Sequence, residues 1–310
     1  MSGETLALTY LSLAKGFTYV GFFGLIGAVA VRLLVVPVCC RRGMIASELF
    51  PAIDRQIYRL ALLSAVLLIC AVAARLYAQT YAVFGLDEPI TLALMKLVAL
   101  ETRWGAQWFP SLWATFFAIG AAVLTSVWPR AGWWSMAAGA AALAFTLPMT
   151  GHAMSHSGGA GLPWTLQVGH GVAGGLWLGT LATVVATVRS SRIKAVDADG
   201  QLTVALVNVF SPLAVVAVGT VLVTGVATAT LYLDHWGQLW QTSYGRVLLT
   251  KVALMLATGT VGAYNWRVLR PRISDATGIM ALIASARLEL ALACLVLIFT
   301  AILVHMPMPE

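Results

Sequence analysis

Charge is what this sequence has least of. Only 10% of its 310 residues are Asp, Glu, Lys or Arg, 60% are hydrophobic, and the mean hydropathy is +0.88. A water-soluble globular chain carries about 25% charged residues, so that class is excluded and a polytopic membrane protein remains. Cysteine is scarce too. Cys39, Cys40, Cys70 and Cys294 have no CxxC spacing, which argues against a thiolate zinc site or a disulfide framework. There is no phosphate-binding P-loop and no phosphorylated-aspartate motif, hence no sign of ATP use. The net charge is +7, but the basic residues lie between apolar runs and form no stripe, so nucleic acid is not an expected partner. A cleavable signal peptide is not expected either. The start, MSGETLALTY, is uncharged to acidic, and the apolar run behind it is longer than a signal core.

Long apolar runs are what the sequence has most of. A span takes about 20 mostly apolar residues, and eight stretches qualify: roughly 16–38, 57–80, 107–128, 132–154, 163–188, 203–233, 246–268 and 284–305. The expected fold is an all-α polytopic membrane helix bundle of about eight transmembrane helices, one integral domain over 1–310 embedded in a lipid bilayer. Pro212 is expected to kink or tilt the long sixth span. Residues 90–103, ITLALMKLVALETR, are apolar but carry Lys96, Glu101 and Arg103, the pattern of an amphipathic helix at the interface.

Orientation follows from the lysines and arginines. One side holds Arg32, Arg41, Arg42, Arg55, Arg59, Arg130, Arg189, Arg192, Lys194, Arg267, Arg270, Arg272 and Arg287. The other holds only Lys15, Arg75, Lys96, Arg103, Arg246 and Lys251. Both termini are therefore expected on the extracytoplasmic side.

That side also collects the histidines. The stretch TLPMTGHAMSHSGGAGLPW, residues 146–164, sets Met149, His152, Met154 and His156 together at the end of the fourth span. His170 lies within the fifth span, His235 follows the sixth beside Asp234, and His305, Met306 and Met308 close the chain in HMPMPE. Imidazole and thioether form a soft donor set that suits copper, Cu(I) especially; hard cations would call for clustered carboxylates. Met149, His152 and His156 are spaced i, i+3, i+7, one face of a helix if the helix persists, although Gly151 and the glycines at 158, 159 and 161 equally allow it to unwind near His156. A histidine inside hydrocarbon is costly and usually faces the bundle interior, and Gly169, Gly171, Gly174, Gly175 and Gly179 let helices close in around His170. The candidate metal ligands are thus Met149, His152, Met154, His156, His170, Asp234, His235, His305, Met306 and Met308, for Cu(I) or Cu(II). The same histidines on adjacent spans also suit axial ligation of haem b, a copper-dependent membrane oxidoreductase, or plain interfacial roles in an assembly factor.

Other polar groups have blander expectations. Arg75 near a span end can snorkel, Glu289 can pair locally with Arg287, and Lys251 and Asn265 share the seventh span. Cys39 and Cys40 are a possible Cu(I) exit pair, while Cys70 and Cys294 are expected to be packing residues.

Two stretches carry a family resemblance. HGVAGGLWLG, from His170 to Gly179, and TGVATATLYLDHWGQLWQTSYGRVLLTKVALMLATGTVGAYNWRVLRP, from Thr224 to Pro271, resemble the CopD family of bacterial copper resistance proteins. The T-x-YG-R-x-L-L-x-K core followed by G-A-Y-N is the more specific part. The resemblance implies a multi-pass inner-membrane protein linked to copper uptake and homeostasis, a transporter or copper-binding protein more than an enzyme. It also implies a periplasmic copper carrier of the CopC type as partner, expected as a separate chain since no CopC-like domain is fused here. Lys15 stands where another outer-side ligand would have been welcome.

Overall fold

The computed structural model describes residues 3–151, 161–194, 197, 200–233, 235–273 and 276–306. Among them there is no strand. The helices are α1 (Gly3–Arg41), α2 (Phe50–Phe84), α3 (Leu92–Glu101), α4 (Arg103–Val127), α5 (Pro129–Thr146), α6 (Gly161–Val188), α7 (Gln201–Tyr232), α8 (Ser243–Arg272) and α9 (Ala276–Leu303). The chain is an all-α bundle in which seven helices are long and apolar enough to cross a membrane: α1, α2, α4 and α6 to α9.

The expected fourth span is α5, and it ends early. The sequence reading carried it to residue 154, but the α-helix stops at Thr146 and tightens into a 3-10 turn over Leu147–Thr150. Pro148 is the physical reason: it has no N–H to continue the ladder, and its ring clashes with the carbonyl four residues back. Its 18 residues rise about 27 Å, so α5 needs the added turn to exceed the ~30 Å of a hydrocarbon core. Pro212, by contrast, lies inside an unbroken α7.

The expected interfacial helix is α3. Its N-terminus is capped by Thr91, whose hydroxyl accepts from the Leu94 N–H at 3.3 Å. Leu92 and Leu100 are exposed while Val98 and Ala99 are buried. Thr102 caps α4 in the same way, accepting from the Gly105 N–H at 3.0 Å.

Packing is organised around α1 and α6. Along α1, Gly21 faces Leu68 and Gly24 faces Ser64, so α2 runs antiparallel to it, and the Arg32–Asp54 ion pair ties the far ends of the two helices. α6 runs parallel to α1 and meets it at Gly27 and Gly179, backbone against backbone. α6 is the most buried of the seven spans, at 72% of its apolar window, and α8 the least, at 6%. One apolar core joins α1, α2, α4, α5 and the end of α6 through Leu25, Ile53, Trp133 and Met136. A second joins α6 to α7 and α9 through Trp177, Phe210, Ala286 and Ala293.

The glycine crossing gives a prediction with a sign. Gly219 faces open space, whereas a Cβ on Gly179 would overlap the Phe23 carbonyl of α1. Gly219→Ala should hold or raise the thermal midpoint in detergent, since alanine is favoured by about 1 kcal/mol in a helix. Gly179→Ala should lower it through overpacking of about 1–3 kcal/mol. Equal midpoints would show that the crossing bears no stability.

Candidate functional site

The end of the bundle that carries the N-terminus is built on two buried cations. Lys15 of α1 is 3% exposed and Arg75 of α2 is 5% exposed. Lys15 Nζ donates to the Leu147 carbonyl at 3.4 Å and lies 5.4 Å over the Tyr19 ring. Arg75 donates to the Thr150 hydroxyl and lies 6.0 Å over the Trp104 ring. A helix C-terminus leaves carbonyls without intrahelical partners and presents negative partial charge, so cations there are favourable. Arg75 does not snorkel as expected; Thr150 and Trp104 hold it inside. Lys15 replaces the hoped-for ligand with an anchor.

The chain that leaves from this turn returns to the same place. Trp164 Nε1 donates to the Phe145 carbonyl at 3.0 Å, and the two rings lie 5.5 Å apart. Both ends of the segment containing HAMSH are therefore pinned at one mouth. Met149 sits half-buried in the 3-10 turn. His152, Met154 and His156 lie outside the described residues, as do Asp234 and Met308.

His170 lies below that mouth, nine residues after Gly161 and so about 13 Å along α6. Its Nδ1 is 3.0 Å from the Thr224 hydroxyl of α7. That hydroxyl spends its own proton on the Thr220 carbonyl at 2.6 Å, so toward His170 it accepts. This geometry suits an Nδ1–H tautomer, in which Nε2 carries the lone pair that imidazole offers a metal. Gly225 stands against the ring at Cε1.

The remaining expected ligands are dispersed. His235 is exposed in the turn after α7. His305 Nδ1 lies 2.9 Å from the Ala301 carbonyl at the end of α9, with Met306 half-buried beside it. Among the described residues there is no group of three or more His, Cys, Asp or Glu placed to hold a metal. The cysteine pair separates: Cys39 is buried and donates to the Ala205 carbonyl at 3.5 Å, while Cys40 is exposed. Cys70 and Cys294, expected to be packing residues, are exposed on the bundle surface.

A second polar centre lies deeper, and the sequence misdirected its reading. Glu289 does not pair with Arg287, which is exposed; it is 4% exposed and turned into the bundle. Its Oε1 accepts from Trp177 Nε1 of α6 at 3.0 Å and its Oε2 from Asn265 Nδ2 of α8 at 2.8 Å. Both partners sit in π-helical turns, Gly175–Gly179 and Asn265–Leu269. Such turns insert an extra residue and rotate the rest of the helix, and they recur at functional sites. A cavity of about 270 Å³ adjoins the three residues. Trp177 comes seven residues after His170, so one helix serves both centres.

Residues 6–162 match the family model of the copper resistance protein D-like N-terminal domain, and residues 204–303 match that of copper resistance protein D. Thr224–Pro271 falls inside the second match, while His170–Gly179 falls between the two. No curated protein and no solved structure matches the chain.

Thr224 supplies a prediction. Thr224→Val keeps the shape and removes the acceptor that fixes the His170 tautomer. Loss of such an orienting partner typically costs about 10- to 100-fold in metal affinity, to be read by competition against a Cu(I) chelator. An unchanged affinity would remove His170 from the ligand set.

Proposed function

The chain belongs to the copper resistance protein D family, and on that premise we propose that it takes up copper at the end of the bundle carrying both termini and passes it inward. The observation that carries this reading is the contact of His170 Nδ1 with the Thr224 hydroxyl, which suits a tautomer with its lone pair on Nε2, beneath a segment pinned at both ends. The soft donors Met149, His152, Met154 and His156 lie on or next to that segment, and a mobile monocation such as Cu(I) is matched by neutral imidazole and thioether ligands. His235, Asp234 and the tail donors His305, Met306 and Met308 are second-rank candidates for capture at the same end. The bias of lysine and arginine toward the opposite end supports a periplasmic mouth in the inner membrane. A separate CopC-type carrier is the partner that this orientation suits. Membership of the family favours copper and lends nothing to the haem b alternative.

Metal content and the visible spectrum of the purified protein test the reading together. About one or more copper per chain without a Soret band is the expected result, and the double variant His152→Ala, His170→Ala should lose stoichiometric copper. A Soret band with matching iron, or undiminished copper in the double variant, would sink the assignment.

A further inference from the structure

Glu289 is the fourteenth of the 28 residues of α9, so it lies at the midpoint of a membrane-spanning helix. A carboxylate there is expensive and is retained for function by default. The groups facing it come from two other helices. From α6 comes the Trp177 N–H, and from α8 come the Asn265 amide and Gly262. Arg287, on its own helix, is exposed. Among the described residues the one ion pair is Arg32–Asp54, far from this site, so no described cation neutralises Glu289.

The adjoining cavity has a direction. At one end it is lined by Val188, Thr203, Arg270 and Leu282, near the basic end of the bundle; at the other it reaches Gly259 and Glu289. From Arg270 to Gly259 is about 16 Å along α8. Only Glu289 and Arg270 ionise among the lining residues, and Arg270 Nε is already committed to Asn208 Oδ1 at 2.8 Å. The Thr203 and Ser211 hydroxyls lie along the way. Most of the lining is apolar, but the volume exceeds that of several waters at about 30 Å³ each, and Thr203, Ser211, Asn265 and Glu289 offer polar partners along it.

We propose that Glu289 is a proton-binding site at the centre of the membrane, loaded through this cavity from the basic end, with Asn265 as its latch. Asn265 is 8% exposed, and its Oδ1 has no hydrogen-bond partner while its Nδ2 serves the carboxylate. An amide is the side chain that can satisfy both protonation states. Nδ2 donates to the ionised carboxylate; turned over, Oδ1 accepts from the O–H of the protonated acid. A metal cation is a poor occupant, because both carboxylate oxygens are already engaged and hard cations need six or more oxygens. The step is a simple protonation, R–COO⁻ plus H⁺ to R–COOH, with no redox partner required. Resting on the copper reading above, the role we assign to this proton is to be exchanged as copper moves inward, so that the two ions are coupled through α6, which carries both His170 and Trp177.

Two readouts test this on the full chain in liposomes. The first needs no copper: infrared difference spectra of protein with isotope-labelled glutamate, recorded as pH is changed. A protonated-carboxyl band that titrates in the wild type and is missing in Glu289→Gln is expected; the same band in Glu289→Gln overturns the proposal. If Glu289→Gln fails to fold, Asn265→Ala keeps the carboxylate and should shift the midpoint of that band, and an unmoved band overturns the latch. The second readout follows copper uptake and internal pH together. Glu289→Gln should keep its copper stoichiometry and lose coupled uptake, whereas wild-type uptake with unchanged proton movement in the variant overturns the coupling. A wild type that binds no copper overturns the functional reading instead, and the infrared band then decides the proton site alone.

Discussion

Helices α1 and α6 touch backbone to backbone at Gly27 and Gly179, and the positions of both polar centres depend on that contact. In hydrocarbon no hydrophobic force pulls helices together, so close approach must come from small residues that let dispersion and backbone dipoles act at short range. The contact closes the π-helical turn Gly175–Gly179, in which Trp177 sits. Trp177 is thereby aimed at Glu289 of α9, away from the larger core formed by α1, α2, α4 and α5. Two turns nearer the mouth, the same rigid α6 presents His170 to Thr224. The two family-model matches stop at residue 162 and resume at residue 204. The helix between them is the one that packs against both parts.

Electrostatics divides the bundle along its axis. At the mouth the buried charges are positive, Lys15 and Arg75; Lys15 meets the Leu147 carbonyl and the Tyr19 ring, Arg75 the Thr150 hydroxyl and the Trp104 ring, and Arg75 Nη1 has no hydrogen-bond partner among the described residues. They hold the turn over Leu147–Thr150 and pair with no described acid. At mid-depth the buried charge is the carboxylate of Glu289, held only by neutral N–H donors.

Much of this arrangement was legible in the residues. Hydropathy finds helices because a span must bury an apolar length, and each expected apolar run lies largely within a helix, that of residues 90–103 in α3, although α5 is not among the seven long and apolar enough to cross a membrane. Proline misled once: Pro148 ends α5 where the apolar run continued, while Pro212 is carried inside a continuous α7. Helix rotation was the illegible part. Arg75 at a span end and Glu289 two residues from Arg287 invite a snorkelling cation and a local pair, yet residues two apart on a helix point in different directions. Which of them faces inward is set by partners on other helices, and for Glu289 those partners sit in π turns that no periodicity announces.

Between the two centres the chemistry changes character in an ordered way. Lys251, Met255, Gly259 and Gly262 run along one face of α8 at helical spacing; Gly262 touches Glu289, and Met255 packs against the cluster around Trp177. A thioether thus lies two helical turns from the point where α8 touches the carboxylate. Soft copper exchanges readily between nitrogen and sulfur donors and has little preference for a lone carboxylate already holding two N–H bonds, whereas a proton is suited to the carboxylate and not to the thioether. On the reading proposed above, copper and a proton entering from opposite ends would meet donor sets of different type.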